Sequence, residues 1–320
     1  MTATTLRPGV TLRLGSRRSP MAIAQSRQVA DLITELTGRP VEIVGVTTLG
    51  DVSRAQLTQI GGTGVFVSAL REALLGGEVD LAVHSLKDLP TGPAVGIVLA
   101  AVPLRDDPRD ALIARDGAKL ADLPAGATIG TGSPRRAAQL LGLRADLRTV
   151  PIRGNANTRL GLVGNGELDG VVLALAGLAR IGCVSAVTQV FEPEEMLPAP
   201  GQGALAVECR GDEPGLAALL KAVTDHASMA AVTAERSLLE ALEAGCSAPV
   251  GAYASGYEQL RMQAAVMSTD GSRVLRVHGV APGADASQLG RDLAAELLAS
   301  GAEDLISVPQ APTSVGNDVQ

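Results

Sequence analysis

LRLGSRRSP, residues 12–20, and TIGTGSPRR, residues 128–136, share one grammar: a β-type run, a glycine, a Ser-Pro pair and two adjacent arginines. Serine at an N-cap accepts a backbone N–H, and proline at the first helical position presets φ, so Ser-Pro starts a helix. Each segment therefore predicts a strand turning directly into a helix. At that turn uncommitted N–H groups, the positive end of the helix dipole and two guanidinium groups make an anion site. Two copies of the grammar predict two α/β lobes facing a shared cleft, a two-sided clamp for an anionic ligand.

The rest of the chain agrees with that reading. Strands are expected at residues 11–15, 41–47, 80–84, 96–102, 111–114, 128–130, 147–152, 171–174 and 204–208. Helices are expected between them at 20–36, 65–75, 134–141 and 158–165, and the alternation specifies α/β architecture. Loops rich in Pro, Gly and Asp at 102–110 and 192–203 read as paired crossings between lobes. The expected division is thus a first lobe of residues 1–103 and 201–222, an inserted second lobe of 104–200, and a smaller α+β domain of 223–320. In that last part, helices at 229–243 and 284–299 flank strands at 250–257, 262–267 and 274–280, and 310–320 reads as a frayed end. A length of 320 residues is itself too great for one ordinary core.

Composition removes several function classes. Only 1% of residues are aromatic, so single-stranded nucleic acid has no stacking platform. A net charge of −7 disfavours a generally basic nucleic-acid surface. No uncharged apolar stretch approaches the length of a membrane span, and no export signal is evident. The cysteines Cys183, Cys209 and Cys246 are odd in number and widely spaced, and no Cys/His metal pattern exists. The expectation is a cytoplasmic, monomeric protein without a metal, a membrane partner or a nucleic-acid partner.

Four constellations carry chemistry. Arg17, Arg18, Arg135 and Arg136 stand at the two helix starts, Arg153 and Arg159 bracket a further turn, and Arg180 closes the run from Leu173. Guanidinium forks pair with carboxylate or phosphate, and spacing alone does not choose between them. The stretch DLAVHSLKDLPT, residues 80–91, delivers Ser85, Lys87 and Asp88 to the end of a strand, while His84 alternates with apolar positions and reads as structural. A Lys–Asp pair is commonly a surface ion pair, but at a strand end Asp88 is also placed to stabilise a developing cation. Cys246 lies on a turn after a helix and is the most accessible of the three thiols, reactive or not. Finally, the 61–64 glycine run is neither a Walker loop nor a dinucleotide fingerprint, whereas PAPGQG, residues 198–203, lets backbone approach a ligand and offers the amide of Gln202.

Taken together, LRLGSRRSPMAIAQ, DLAVHSLKDLPT, IGTGSPRRAAQL, IRGNANTRL, LPAPGQGALAVE and LEAGCSAPVGAYA closely resemble the porphobilinogen deaminase (hydroxymethylbilane synthase) family, in its order and over nearly the whole chain. The resemblance implies two lobes like the halves of a type II periplasmic binding protein and a third domain bearing a cofactor cysteine. It implies a transferase of tetrapyrrole biosynthesis, which condenses four porphobilinogen molecules head-to-tail into hydroxymethylbilane and releases ammonia. The implied cofactor is a dipyrromethane joined by a thioether to Cys246. By similarity Ser85, Lys87, Asp88, Thr131, Ser133, Arg135 and Arg136 hold that cofactor. Arg17, Ser19, Gln25, Arg153, Arg159, Arg180 and Gln202 hold porphobilinogen and the growing polypyrrole chain, and Asp88 is the catalytic carboxylate. A polyanionic chain of acetates and propionates makes an Arg-lined cleft in an acidic protein intelligible. One departure concerns Gln59 and Thr63, where the family often has lysine; Phe66 still matches a helix-start aromatic there. A solute-binding protein for an organic anion is the sharpest rival, and it would carry no covalent adduct. An anion-sensing regulator would need a nucleic-acid-binding element, which the sequence lacks.

Overall fold

The computed structural model describes residues 10–46, 64–245 and 248–306. The first lobe opens with β1 (Leu12–Ser16), α1 (Pro20–Thr37), β2 (Val41–Gly45), α2 (Gly64–Leu75), β3 (Leu81–Ser85) and β4 (Ile97–Ala101). The chain then crosses to β5 (Asp110–Ala114), β6 (Thr128–Gly130), α3 (Pro134–Leu143), β7 (Arg148–Val150), α4 (Ala156–Gly164), β8 (Gly170–Ala174), α5 (Leu175–Arg180) and β9 (Gln189–Val190). It returns through β10 (Leu205–Arg210) and α6 (Pro214–Leu220), and continues into α7 (His226–Ala241), β11 (Val250–Ser255), β12 (Leu260–Met267), β13 (Val274–Ala281), α8 (Ala286–Ala299) and α9 (Glu303–Ile306).

The two lobes repeat one topology. The first sheet has the order β2-β1-β3-β10-β4 and the second β7-β6-β8-β5-β9. In each, four strands point the same way and the odd strand is the one arriving from the other lobe: β10 is antiparallel to β3 and β4, and β5 to β8 and β9. Register then decides where the crossings land. Leu205, the first residue of β10, pairs with Ser85 at the end of β3; Asp110, the first of β5, pairs with Ala174 at the end of β8. Both crossings are therefore delivered to the carboxyl ends of the parallel strands, where open α/β sheets bind ligands. This is the two-lobed architecture expected from the repeated strand–Gly–Ser-Pro–helix grammar.

The cores follow from two-sided burial. Strands β3, β5, β8 and β10 are almost wholly buried, as sheets covered by helices on both faces require. Leu12, Leu14, Leu81 and Val207 meet Val29 and Ile33 of α1 in the first lobe; Leu112, Ile129 and Val172 meet Leu140 of α3 in the second. In the third unit, α7 and α8 cover one face of the antiparallel sheet β11-β12-β13. A Cβ on Gly290 would stand 2.2 Å from Ala234 O, so only glycine permits this helix approach. The opposite sheet face sets Ala265 and Met267 against Ala138 of α3 and Leu197.

Among the described residues, four elements had no sequence signal: β9, with two residues, α5, with six, α6, with seven, and α9, with four, are too short to display a period. Residue 46 of the expected second strand lies beyond its observed end at Gly45, and residue 47 falls outside the described residues. The expectations at Gln59, Thr63, Cys246 and 310–320 fall outside the described residues. Among the described residues, no helix is long and apolar enough to cross a membrane.

Two buried carboxylates tie elements together, Glu235 across the units and Glu208 within the first lobe. Glu235 of α7, fully buried, receives Arg105 of the first crossing at 2.7 and 3.1 Å, Gly201 N of the second crossing at 2.6 Å and Ala254 N of β11 at 2.8 Å. Glu208 of β10 pairs with Arg71 of α2 at 2.7 Å and lies 3.1 Å from His84 Nε2, which accounts for His84 as a structural residue. Burial works to raise the Glu208 carboxyl, but His84 and Arg71 hold it down, to about 2.

Replacing Glu235 by Gln strands the Arg105 charge and should cost about 3–5 kcal/mol, read as a lowered denaturation midpoint; an unchanged midpoint contradicts the junction role. For Glu208, a depressed carboxyl stabilises the fold fully above its ordinary value of 4.5 and ceases to do so as pH falls through about 2. Glu208→Gln should therefore flatten the loss of stability with pH across that window, and an unaltered acid limb refutes the assignment.

Candidate active site

Strand β3 ends at Ser85, and a single 3-10 turn, Leu86–Asp88, follows. Leu86 is buried and its N–H donates to Ala204 O at 3.0 Å, which seats the turn on the second crossing. Arg236 of α7 steadies the turn's exit by donating to Leu89 O at 2.9 Å and Pro90 O at 2.7 Å. With its hydrophobic neighbours anchored, the turn presents Lys87 half-buried and Asp88 exposed. The crossing packs closely here because of two glycines. Gly201 (φ +74°) would place a Cβ 3.4 Å from Lys87 N, and Gly203 (φ +88°) would place one 2.5 Å from Asp106 O.

Between these glycines Gln202 is fully buried. Its Nε2 donates to Pro108 O at 2.7 Å and to Asp110 Oδ1 at 2.8 Å, using both amide hydrogens. The amide is thereby oriented, and Oε1 accepts from Lys87 Nζ and Arg136 Nη2, each at 3.3 Å. Asp110 also meets Arg136 through Oδ1 at 2.7 Å and Arg135 through Oδ2 at 2.8 Å. Arg135 further donates to Leu197 O, and Arg136 Nη1 to Val172 O at 3.2 Å. Burial alone would raise the Asp110 carboxyl, yet the two guanidinium groups hold it well below the usual carboxylate range.

The cluster carries more positive than negative charge. Burial, then Arg136, lowers Lys87 to about 8, against the opposing pull of Asp88 and Asp110 and with a smaller push from Arg135. Burial and Arg136 likewise lower Arg159. Four cations (Lys87, Arg135, Arg136, Arg159) thus share two carboxylates (Asp88, Asp110), and buried Arg135 Nε has no hydrogen-bond partner. Such a donor set fits a ligand bearing several carboxylates.

The helix-start expectations hold at both lobes. Ser19 Oγ caps α1 by accepting from Ala22 N at 3.2 Å, and Ser133 Oγ caps α3 by accepting from Arg136 N at 3.4 Å. Thr131 is buried and its Oγ1 accepts from Ser133 N at 3.2 Å, beside a cavity of about 220 Å³ reaching Thr149 and Pro151. Arg17 is half-buried ahead of α1 and Gln25 is buried on it. Arg153 is exposed, whereas Arg159 Nε donates to Gly154 O at 2.9 Å.

The structure therefore gathers Lys87, Gln202, Arg135, Arg136 and Arg159 and sets Asp88 at their edge. Two expectations change in detail. Arg135 and Arg136 do not present open forks, because Asp110 occupies them; Arg180 is likewise committed, to Asp106 at 2.8 Å and Gly203 O at 2.7 Å. Guanidinium groups buried this deeply need counter-charges from the chain itself. Asp110 and Asp106 were the residues missed. Their one signal was the acid-rich DDPRD at residues 106–110 running straight into the apolar ALIA. Cys246 lies outside the described residues. Among those described, no cluster of His, Cys, Asp or Glu is placed to hold a metal.

Comparison with known proteins is consistent along the chain. Residues 12–218 match the family model described as porphobilinogen deaminase, dipyromethane cofactor binding domain, and residues 229–299 match porphobilinogen deaminase, C-terminal domain. A porphobilinogen deaminase of Thermobifida fusca is 60% identical over 305 residues, covering 92% of this chain and 95% of that protein. Porphobilinogen deaminase 1 of Streptomyces coelicolor is 56% identical over 309 residues, covering 92% and 97%. Among solved structures, a periplasmic substrate-binding protein of an ABC transporter from Coxiella burnetii is 18% identical, with a TM-score of 0.42 over 66% of this chain and 91% of that one.

The electrostatics of Lys87 can be read directly. Competitive amine labelling against pH, followed by peptide mass analysis, should give Lys87 a midpoint near 8. A midpoint at the ordinary lysine value of 10.5 would contradict the half-buried, cation-rich setting.

Proposed function

The chain belongs to the porphobilinogen deaminase family, and on that premise we propose how its residues divide the work. The reaction is the condensation of four porphobilinogen molecules into linear hydroxymethylbilane with release of ammonia, in tetrapyrrole biosynthesis, on a dipyrromethane primer. Bound through a thioether to Cys246, the dipyrromethane would supply the free α-carbon to which the first unit is joined, and each later unit is joined to the pyrrole added before it.

The remaining steps belong to the chain. Lys87, Arg135 and Arg136, with Ser85, Thr131 and Ser133, bind the primer's carboxylates. Arg17, Ser19, Gln25, Arg153 and Arg159 bind porphobilinogen and the lengthening chain, while Gln202, fully buried with its amide engaged, and Arg180, held by Asp106 and Gly203 O, support that surface from behind. Loss of ammonia from porphobilinogen leaves positive charge on its pyrrole nitrogen. Asp88 accepts the N–H hydrogen bond, stabilises that charge and holds the proton displaced when the new carbon–carbon bond forms. The observation that carries this reading is the excess of cations around Gln202, with one exposed carboxylate, Asp88, on the turn beside it.

The reading extends to organisation. Residues 1–103 with 201–222, residues 104–200 and residues 223–320 form three domains, a division supported by the three separate sheets. A monomer acting in the cytoplasm is supported by the absence of a leftover apolar stripe in the sequence and by free thiols at Cys183 and Cys209.

Replacing Asp88 by Ala should lower ammonia release by at least about 100-fold while the primer's mass remains on the Cys246 peptide. Replacing Cys246 by Ser should leave the chain without that mass. Near-normal ammonia release from the first variant, or an adduct persisting in the second, overturns the assigned roles.

A further inference from the structure

We propose that Asp110 is a positioning residue for this reaction: its carboxylate fixes Arg135 and Arg136 and, through Gln202, fixes Lys87 beside Asp88. The inference rests on the roles assigned above to Lys87, Asp88 and the two arginines.

Three features set Asp110 apart from an ordinary buried counter-ion. First, backbone fixes its position. Asp110 begins β5 and pairs in register with Ala174, and Pro108 O, two residues earlier, holds the same Gln202 amide that Asp110 binds. The side chains of α3 come to a carboxylate whose place the sheet has already decided. Second, it joins elements from both lobes. Arg135 and Arg136 lie on α3 of the second lobe; Lys87 follows β3 of the first; Asp110 and Gln202 sit on the two crossings between them. A single unbroken path runs from Arg135 through Asp110 and Gln202 to Lys87, with contacts of 2.8, 2.8 and 3.3 Å. Third, it leaves the site incompletely neutralised. One carboxylate offsets one of the three cations Lys87, Arg135 and Arg136, so they remain close together yet retain charge for a ligand. Without it, three like charges would lie together in a poorly solvated space, where repulsion is strong.

The groups facing Lys87 are Arg135, Arg136, Asp88 and Asp110, together with the Gln202 amide. Asp110 is one of the two charges that favour its ammonium form, so neutralising Asp110 must make Lys87 easier to deprotonate.

The test uses the full-length chain with Asp110→Asn, which keeps the shape and removes the charge. The labelling midpoint of Lys87 should fall below its value of about 8. Primer occupancy at Cys246, read by intact mass, should fall about tenfold or more. Adding Arg136→Met, which removes one cation with the anion, should return the midpoint toward 8; a purely structural Asp110 predicts no such return. If Asp110→Asn does not fold, Gln202→Met carries the test, since it keeps the Asp110–arginine pairs and removes the acceptor facing Lys87. Its midpoint should also fall. An unshifted midpoint in the variant that folds, or a fall that the second substitution does not reverse, overturns the proposal. Wild-type chain that never carries the primer would instead count against the functional reading, while the labelling result still decides on Asp110.

Discussion

The buried contact of Asp110 with Arg135 and Arg136 is the constraint around which the two lobes are arranged. Guanidinium groups removed from water are costly unless a counter-charge meets them in good geometry. This chain satisfies them with one carboxylate, and Gln202 saturates the same oxygen from the other side. The result is a compromise between stability and binding. Full neutralisation would give a tighter interior with nothing to offer an anion. Leaving all three cations unpaired would expel them toward solvent. One carboxylate keeps them gathered and leaves Arg135 Nε and Lys87 with donor capacity to spare.

Topology makes that contact available. Each lobe takes its antiparallel strand from the other lobe's crossing, so the first residues of β5 and β10 reach the carboxyl ends of the parallel strands. The Leu86–Asp88 turn, the start of α3 and both crossings converge there because of sheet register. Arg180 binds Asp106 of one crossing and Gly203 O of the other, while Glu235 fastens Arg105 and Gly201 of the same crossings to the third sheet. The lobes meet at a junction whose buried carboxylates, Asp110 and Glu235, are each met by arginine. A polyanion is then received at the cation-rich edge of that junction.

Much of this was legible in the sequence, for identifiable reasons. Ser19-Pro20 and Ser133-Pro134 announce helices by local chemistry that tertiary structure does not override, and both serines cap as expected. Strands buried on both faces are short apolar runs, and most were found within one or two residues of their observed ends. The two-residue β9 exists only through its pairing with β5, which no local pattern encodes. The arginines were legible as a set, but their partners were not. Asp110 is separated from Arg136 by 26 residues and from Gln202 by 92, and that proximity is created by the crossings alone. Pairing across such distances is a property of topology, so a sequence reading finds the cations and leaves their commitments undetermined.

The central claim is that this cation-rich junction serves a polyanion anchored at Cys246. Intact mass of the purified, denatured chain, followed by peptide mapping around Cys246, tests it most directly. The account predicts a mass above that of the polypeptide by one two-pyrrole group, confined to the Cys246 peptide. If the chain is recovered bare, incubation with porphobilinogen should add that mass at the same residue. A bare chain that gains nothing at Cys246 under those conditions would contradict the account.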